Sequence, residues 1–219
     1  DIPTISTSSG NDSFGDDLIA NVSSTSDPDG DNVELNYDWR LHGQSIASLN
    51  MSFDTESLCG VTDYSTNEQH GIINGSPTYD TGIKGQAMSF DGSLGGYIEV
   101  ENADILSSDF SISAWIKTSV TNKVQSIVSQ SPASSTLINE HFLFVGIDNK
   151  LKFQSHDSSS NQWPTIVHSS SISTTDWTHV AIIQSGNTVT LYVDGVPETS
   201  ASVFPSIPNG SLFIGSEGA

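Results

Sequence analysis

Apolar residues at every second position decide what this chain can fold into. Phe110-Ser111-Ile112-Ser113-Ala114-Trp115-Ile116 alternates apolar with small or polar side chains, the two-residue period of a half-buried strand. Phe142-Leu143-Phe144-Val145-Gly146-Ile147 and Leu151-Lys152-Phe153 flank Asp148-Asn149-Lys150, which reads as a hairpin turn. Val180-Ala181-Ile182-Ile183 and Val189-Thr190-Leu191-Tyr192-Val193 flank Ser185-Gly186-Asn187 as a second hairpin. Asp194-Gly195 then reverses the chain toward Val196, and Asp-Gly suits a two-residue turn because both positions tolerate positive φ. No window of a dozen residues carries a helical stripe. Many short strands between Gly, Asn and Ser turns predict an all-β sandwich.

Length and charge narrow the function. The 219 residues suffice for one large β domain, or for one medium and one small. Against 26 acidic residues stand 6 Lys and Arg, a formal net charge of −20. Such a chain repels phosphate backbones and anionic membranes, so no nucleic-acid partner is expected. Two uses of the acid remain: solubility in salty water, or local carboxylate clusters that hold divalent cations. Cys59 is the only cysteine, which excludes an internal disulfide. No run of about 18 apolar residues is present, so no membrane insertion is expected. There is no signal peptide, and the polar start at Asp1 reads as a mature product or an excised fragment.

The order of motifs resembles a known family. Asp63-Tyr64-Ser65-Thr66-Asn67-Glu68-Gln69-His70-Gly71 is a polar loop. Gly85-Gln86-Ala87-Met88-Ser89-Phe90-Asp91-Gly92 and Tyr97-Ile98-Glu99-Val100 follow as two strands with a glycine turn between them. This resembles the front half of a laminin-G-like, concanavalin A-like jelly roll. Leu49-Asn50-Met51-Ser52-Phe53-Asp54 resembles its opening strand. Trp177-Thr178-His179-Val180-Ala181 and Leu191-Tyr192-Val193-Asp194-Gly195 resemble its back half, and Leu212-Phe213-Ile214-Gly215 its next-to-last strand. The resemblance implies an antiparallel jelly-roll sandwich over residues 49–219 that lacks its closing strand. Either further polypeptide supplies that strand, or a neighbouring subunit does by β-augmentation, which would build a filament.

Residues 1–48 read as a separate, smaller unit. Asp27-Pro28-Asp29-Gly30-Asp31 leads into a strand, Val33-Glu34-Leu35-Asn36-Tyr37-Asp38-Trp39, and a turn at His42-Gly43. The order resembles the first half of an immunoglobulin-like domain of the polycystic-kidney-disease or cadherin-like type. It is too short for the whole sandwich of about 80 to 100 residues, so a partial immunoglobulin-like β unit is expected. The jelly roll could also be inserted into it. Trp39 resembles the buried strand-C Trp of such domains, while Trp115 and Trp177 read as jelly-roll core.

Candidate sites follow from residue chemistry. Asp27, Asp29 and Asp31 place carboxylates two apart around a turn, half of a calcium loop, or simply an Asx-type turn. In laminin-G-like relatives a calcium often ties the opening segment to the closing strand. Carried over by position, that resemblance implies Asp54 and Asp63 as side-chain ligands, with Asn67, Gly71 or neighbours donating carbonyls. The alternative has Asp63 and Asn67 hydrogen-bonding their own loop. Glu99 and Glu101 alternate as glucanase carboxylates do, and Asp104 follows. The glucanase Glu-x-Asp-x-Glu pattern is absent, so a solvated strand face is expected. His70, His141, His156, His168 and His179 lack metal-ligand spacing.

Trp163, in a loop with Asp157, Asn161 and Gln162, is the candidate sugar-stacking residue, the amides and the carboxylate serving the hydroxyls. Five Asn-x-Ser sequons, at Asn11, Asn21, Asn50, Asn74 and Asn209, mark candidate glycosylation. The reading is a non-catalytic adhesion or glycan-recognition module of a larger microbial surface protein, extracellular or at the cell surface. Its expected partner is a glycan or a surface protein, and its candidate cofactor is calcium. The rival reading is a structural subunit of an extracellular filament or surface layer, self-assembled through open strand edges.

Overall fold

The computed structural model describes the chain except residues 1–3, 11–17, 23–24, 27, 29–32, 34, 36, 55–59, 93–94, 104–105, 107–108, 120, 133–140, 156–162, 199–200, 203–209 and 217–219. Among the described residues every regular element is a strand. The chain forms two compact units, Asp1–Tyr37 and Asp38–Ala219.

The first unit holds one antiparallel pair, β1 (Thr4–Thr7) and β2 (Leu18–Asn21), with Ile5 opposite Ala20. None of its described residues is buried, and an isolated hairpin is marginal in water. Val33, Leu35 and Tyr37 lie outside any strand, contrary to the expected run to Trp39. Alternation supplies a strand with faces but not with the neighbour its ladder requires. This segment therefore does not show an immunoglobulin-like unit by itself. Trp39 belongs to the second unit, where it is half-buried and its carbonyl accepts the Ile46 N–H at 2.8 Å.

The second unit opens with a hairpin of β3 (Arg40–Leu41) and β4 (Gln44–Ser45), turned by His42 at φ 51° and Gly43 at φ 84°. The division thus lies after Tyr37 rather than at Ser48, because this hairpin is bonded to the loop beyond it. The Ser45 N–H donates to Thr66 Oγ1 (3.1 Å), the Thr66 N–H to Ser45 Oγ (2.7 Å), and Asn67 Nδ2 to the Ser48 carbonyl (2.9 Å). Leu49–Asp54, expected as an opening strand, forms none. Phe53 sits at φ 61°, which breaks extended backbone, and the Asn50 N–H is spent on the Asp63 carboxylate.

The remaining strands are β5 (Ile72–Asn74), β6 (Thr78–Thr81), β7 (Gln86–Ser89), β8 (Tyr97–Val100), β9 (Phe110–Ile116), β10 (Gln125–Pro132) and β11 (His141–Val145). They continue with β12 (Lys150–Ser155), β13 (Thr165–Ser171), β14 (Thr178–Ser185), β15 (Thr188–Val193), β16 (Val196–Pro197), β17 (Ala201–Ser202) and β18 (Gly210–Ile214). A seven-stranded sheet runs β13-β12-β11-β10-β18-β8-β5, and a five-stranded one runs β16-β15-β14-β9 with β17 also on β15. Both are antiparallel. The expected turns form: Gly186 (φ 56°) between β14 and β15, and Asp194 (φ 48°) with Gly195 (φ 77°) between β15 and β16.

The core lies between the two sheets. Leu143, Val145, Leu151 and Phe153 of one pack with Val180, Ile182 and Leu191 of the other in a single buried cluster. Phe110 reaches across to Phe153, ring centroids 6.4 Å apart. Each such side chain contributes roughly 1.5–3 kcal/mol on full burial. Trp115 is not core, contrary to expectation: it is 49% exposed. Period-two geometry decides this, since Phe110, Ile112, Ala114 and Ile116 take the inner face and Trp115 must point outward.

Candidate binding site

Strand register assembles a row of side chains that are far apart in sequence. Glu99, Phe213, Ser129, Phe142, Gln154 and Thr165 lie side by side across β8, β18, β10, β11, β12 and β13. They face away from the core, because their neighbours Val100, Leu212, Val128, Leu143, Phe153 and Ile166 make it. This outer face carries two aromatic pairs, of which Phe142, Phe144 and Phe213 are themselves buried, at 6%, 8% and 8% exposed. Phe142 and Phe144 stack with centroids 4.2 Å apart and rings 11° from parallel. Tyr97 meets Phe213 edge-on at 5.6 Å, a favourable geometry for ring quadrupoles.

Polar groups flank these rings. Ser211 Oγ donates to Glu99 Oε1 at 2.7 Å. Gln154 Nε2 donates to Thr165 Oγ1 at 2.8 Å. Ser126 and Ser129 each donate a hydroxyl to the Ser216 carbonyl, at 2.7 and 2.9 Å. Gly215 makes that arrangement possible: its φ of 85° turns the chain out of β18, and the Phe90 ring occupies the space a Cβ would need. Lys152, in the next row beside Phe144, pairs with Asp148 at 3.1 Å. The Lys152 ammonium, as hydrogen-bond donor, holds the Asp148 carboxyl below the usual carboxylate range.

Of the sugar-stacking candidates, Trp163 is 38% exposed and lies two residues before Thr165, at the border of this face. Asp157, Asn161 and Gln162 lie outside the described residues. The alternation of Phe142-Leu143-Phe144-Val145 did not single out the outer face. Its one sequence signal is that both parities of the strand are apolar, as a strand loaded on both faces requires.

The calcium candidates divide. Asp27, Asp29 and Asp31 lie outside the described residues. Asp63 is 3% exposed and its carboxylate is saturated. Oδ1 accepts the N–H groups of Asn50 (2.8 Å) and Ser65 (2.9 Å), and Oδ2 accepts the Ser65 hydroxyl (2.7 Å) and the Gln69 N–H (2.9 Å). Asp54 Oδ1 accepts the Gln86 N–H at 2.9 Å, and Asn67 spends its amide on Ser48. The four donors occupy the Asp63 lone pairs that a cation would need, so Asp63 in this arrangement has none to offer calcium. Among the described residues no group of three or more His, Cys, Asp or Glu is placed to hold a metal ion.

The carboxylates considered for catalysis do not form a pair on a strand. Glu99 is engaged by Ser211, and β8 ends at Val100, which leaves Glu101 exposed in a turn. Of the sequons, Asn21 is exposed on β2, with Nδ2 donating to Ser6 Oγ at 2.9 Å. Asn50 and Asn74 are half-buried, and Asn11 and Asn209 lie outside the described residues.

A second feature borders the five-stranded sheet. A groove of about 870 Å³ lies beside β9, lined by aliphatic side chains such as Leu49, Met51, Ile112 and Ile214 and by polar ones such as Ser52, Gln86 and Ser113.

A family model described as the concanavalin A-like lectin/glucanases superfamily matches residues 91–219, more than half of the chain. The chain belongs to that superfamily. The concanavalin A-like sandwich accounts for the two facing sheets and the core between them. Among solved structures, the chain is similar to domain 4 of AbnA, an extracellular arabinanase of Geobacillus stearothermophilus bound to arabinotriose, at 23% identity and TM-score 0.58, covering 76% of this chain and 82% of that one. It is similar to the binding domain of botulinum neurotoxin serotype D, at 17% identity and TM-score 0.59, covering 76% of this chain and 42% of that one. The binding domain of Paraclostridial Mosquitocidal Protein 1 matches at 18% identity and TM-score 0.58, over 71% of this chain and 41% of that one. The chain thus spans less than half of the toxin chains it matches, and at these identities the likeness is one of fold. Comparison with curated proteins found no match.

Proposed function

We propose that this concanavalin A-like chain is a non-catalytic glycan-recognition or adhesion module of a larger extracellular protein, and that the outer face of the seven-stranded sheet makes the contact. The observation that carries this reading is the accessible part of the row from Glu99 to Thr165, where Thr165 and the neighbouring Trp163 are exposed and Glu99 and Gln154 half-buried. A sugar ring presents apolar C–H faces and a rim of hydroxyls. A carboxylate, a hydroxyl and an amide complement the rim, and an exposed aromatic face complements the C–H surface. Trp163 at the border adds an exposed indole. The folds this chain shares, a toxin binding domain and an arabinanase domain bound to arabinotriose, support the same reading. The absence of catalysis is supported by the engagement of Glu99 with Ser211 and the placement of Glu101 in a turn.

The test is a glycan array followed by titration calorimetry on the best oligosaccharide. Trp163→Ala and Gln154→Ala are expected to weaken binding about tenfold each, the loss of roughly 1.4 kcal/mol per contact. A bound glycan indifferent to both changes would move the site elsewhere. Release of reducing ends from that glycan, abolished by Glu99→Gln, would replace recognition by hydrolysis.

A second reading, assembly through shared strands, is supported by the edge of β9 that no strand pairs among the described residues.

A further inference from the structure

β13 is longer than the strand it pairs with. Val167 lies opposite Lys152 and Ser171 opposite Lys150, so three residues of β13 stand against the single Leu151 of β12. The extra length makes a bulge. Inside it the Ser170 N–H donates to Nδ1 of His168, two residues back, at 3.1 Å. The same imidazole reaches across the sandwich, where Nε2 meets the Val196 carbonyl of β16 at 3.2 Å. An amide N–H only donates and a carbonyl only accepts, so the proton of the neutral ring sits on Nε2. One side chain thus closes the bulge and ties β13 of the seven-stranded sheet to β16 of the five-stranded one.

This ring is buried, at 1% exposed. A second proton can enter only at Nδ1, where it displaces the Ser170 N–H. Glu198 Oε2 lies 3.9 Å from that nitrogen. Among the described residues Glu198 is the charged group that faces the ring. β12 turns Lys150 and Lys152 outward, β15 turns Tyr192 outward, and Asp194 beyond it accepts the His179 N–H. β13 is also the strand that presents the exposed end of the outer face: Thr165, which accepts from Gln154, and Trp163 just before it.

We propose that His168 is an acid-operated latch that regulates the glycan-contact edge. With the ring neutral, Nδ1 holds Ser170 and the bulge fixes how β13 lies along β12. With the ring charged, its Nδ1–H turns to Glu198, Ser170 is released, and the altered bulge re-aims Thr165 and Trp163. The latch stands on the geometry of β13 alone, and its effect on sugar affinity rests on the recognition reading.

The experiment is NMR spectroscopy of the full chain from about pH 8 to about pH 5, where histidine side chains change charge. The Ser170 amide is expected to shift and lose protection from exchange as the ring is protonated, and the Trp163 indole signal to shift with the same midpoint. His168→Asn keeps an acceptor near the place of Nδ1 and takes no charge, so both signals should stay flat. Glu198→Gln alters a partly exposed side chain and is expected to move the change to lower pH. It carries the test if His168→Asn unfolds. Calorimetry on the oligosaccharide chosen by the glycan array is expected to show about tenfold weaker binding at the acid end in wild type, and no such loss in His168→Asn. A Ser170 signal that ignores pH in wild type, or that responds fully in His168→Asn, overturns the latch. A Ser170 response with unchanged affinity overturns its regulation of the site. A chain that binds nothing on the array while Ser170 still responds overturns the recognition reading and leaves the latch standing.

Discussion

The Asp63 carboxylate accepts the backbone N–H of Asn50 at 2.8 Å, across thirteen positions of sequence. Three more donors, from Ser65 and Gln69, complete its shell. One buried side chain therefore fixes the segment that enters the sandwich and the loop that follows it. Asp63→Asn would turn an NH₂ toward donors and leave them unpaired, at a cost of about 3 kcal/mol. Urea unfolding measures this, and an unshifted midpoint would show that the loop holds itself. Since every acceptor direction is taken, calcium is expected to leave the wild-type midpoint unmoved. A calcium-dependent rise, abolished by Asp63→Asn, would reverse that expectation.

Gly215→Ala tests the turn that carries Ser216 over the outer face. The substitution forces a Cβ into the Phe90 ring and a non-glycine residue to φ 85°. The backbone term alone costs about 1–2 kcal/mol, and the ring must move in addition. Thermal unfolding should show a clear loss of stability. Near-ultraviolet circular dichroism should change as Phe90 is displaced, and a variant matching wild type in both would mean the turn has another conformation open to it.

Gln130 is a buried polar side chain with a specific task. Fully enclosed, it donates through Nε2 to the Ala103 carbonyl and accepts the Leu106 N–H at 3.1 Å through Oε1. Gln130→Leu leaves both backbone groups in a dry site, for about 2–3 kcal/mol. Hydrogen exchange at the Leu106 amide should accelerate relative to amides of β14. Equal protection in both proteins would show that water substitutes for the side chain.

Acid should loosen the surface turns before the core. The Ser45 hydroxyl, with Arg40, holds the Asp38 carboxyl below its ordinary range. Lys152 does the same for Asp148, and Thr175 with Ser173 for Asp176. For a depressed carboxylate the stabilisation is complete above its unfolded pKa and is lost as pH falls through the lower folded value. Stability should therefore decline below the ordinary carboxylate range. Asp176→Asn should be less stable than wild type at neutral pH and show a shallower acid dependence. Identical pH profiles would remove Asp176 from the account.

Much of the fold was legible locally. The run Phe110–Ile116 returned as β9 with those bounds, and the turns at Gly186 and at Asp194-Gly195 formed where Gly and Asp tolerate positive φ. Local pattern failed where a neighbour was needed. Val33–Trp39 and Leu49–Asp54 alternate like strands, yet their described residues join no ladder. Trp115 was expected in the core, but parity along β9 put it outside. Asp63 was a candidate ligand by position, and only its four donors revealed a hydrogen-bonded hub.

By itself the sequence determined the period, the turns and the charge, and with them an all-β chain of concanavalin A-like order. Those properties belong to residues within a few positions of one another. The outer-face row was decided only in three dimensions, because β18 inserts between β8 and β10 and brings Phe213 beside both Glu99 and Ser129. The same holds for the β9 groove, whose walls come from segments some sixty residues apart in the chain. Strand pairing at that range depends on which edges are satisfied across the whole sheet, and no local pattern encodes it.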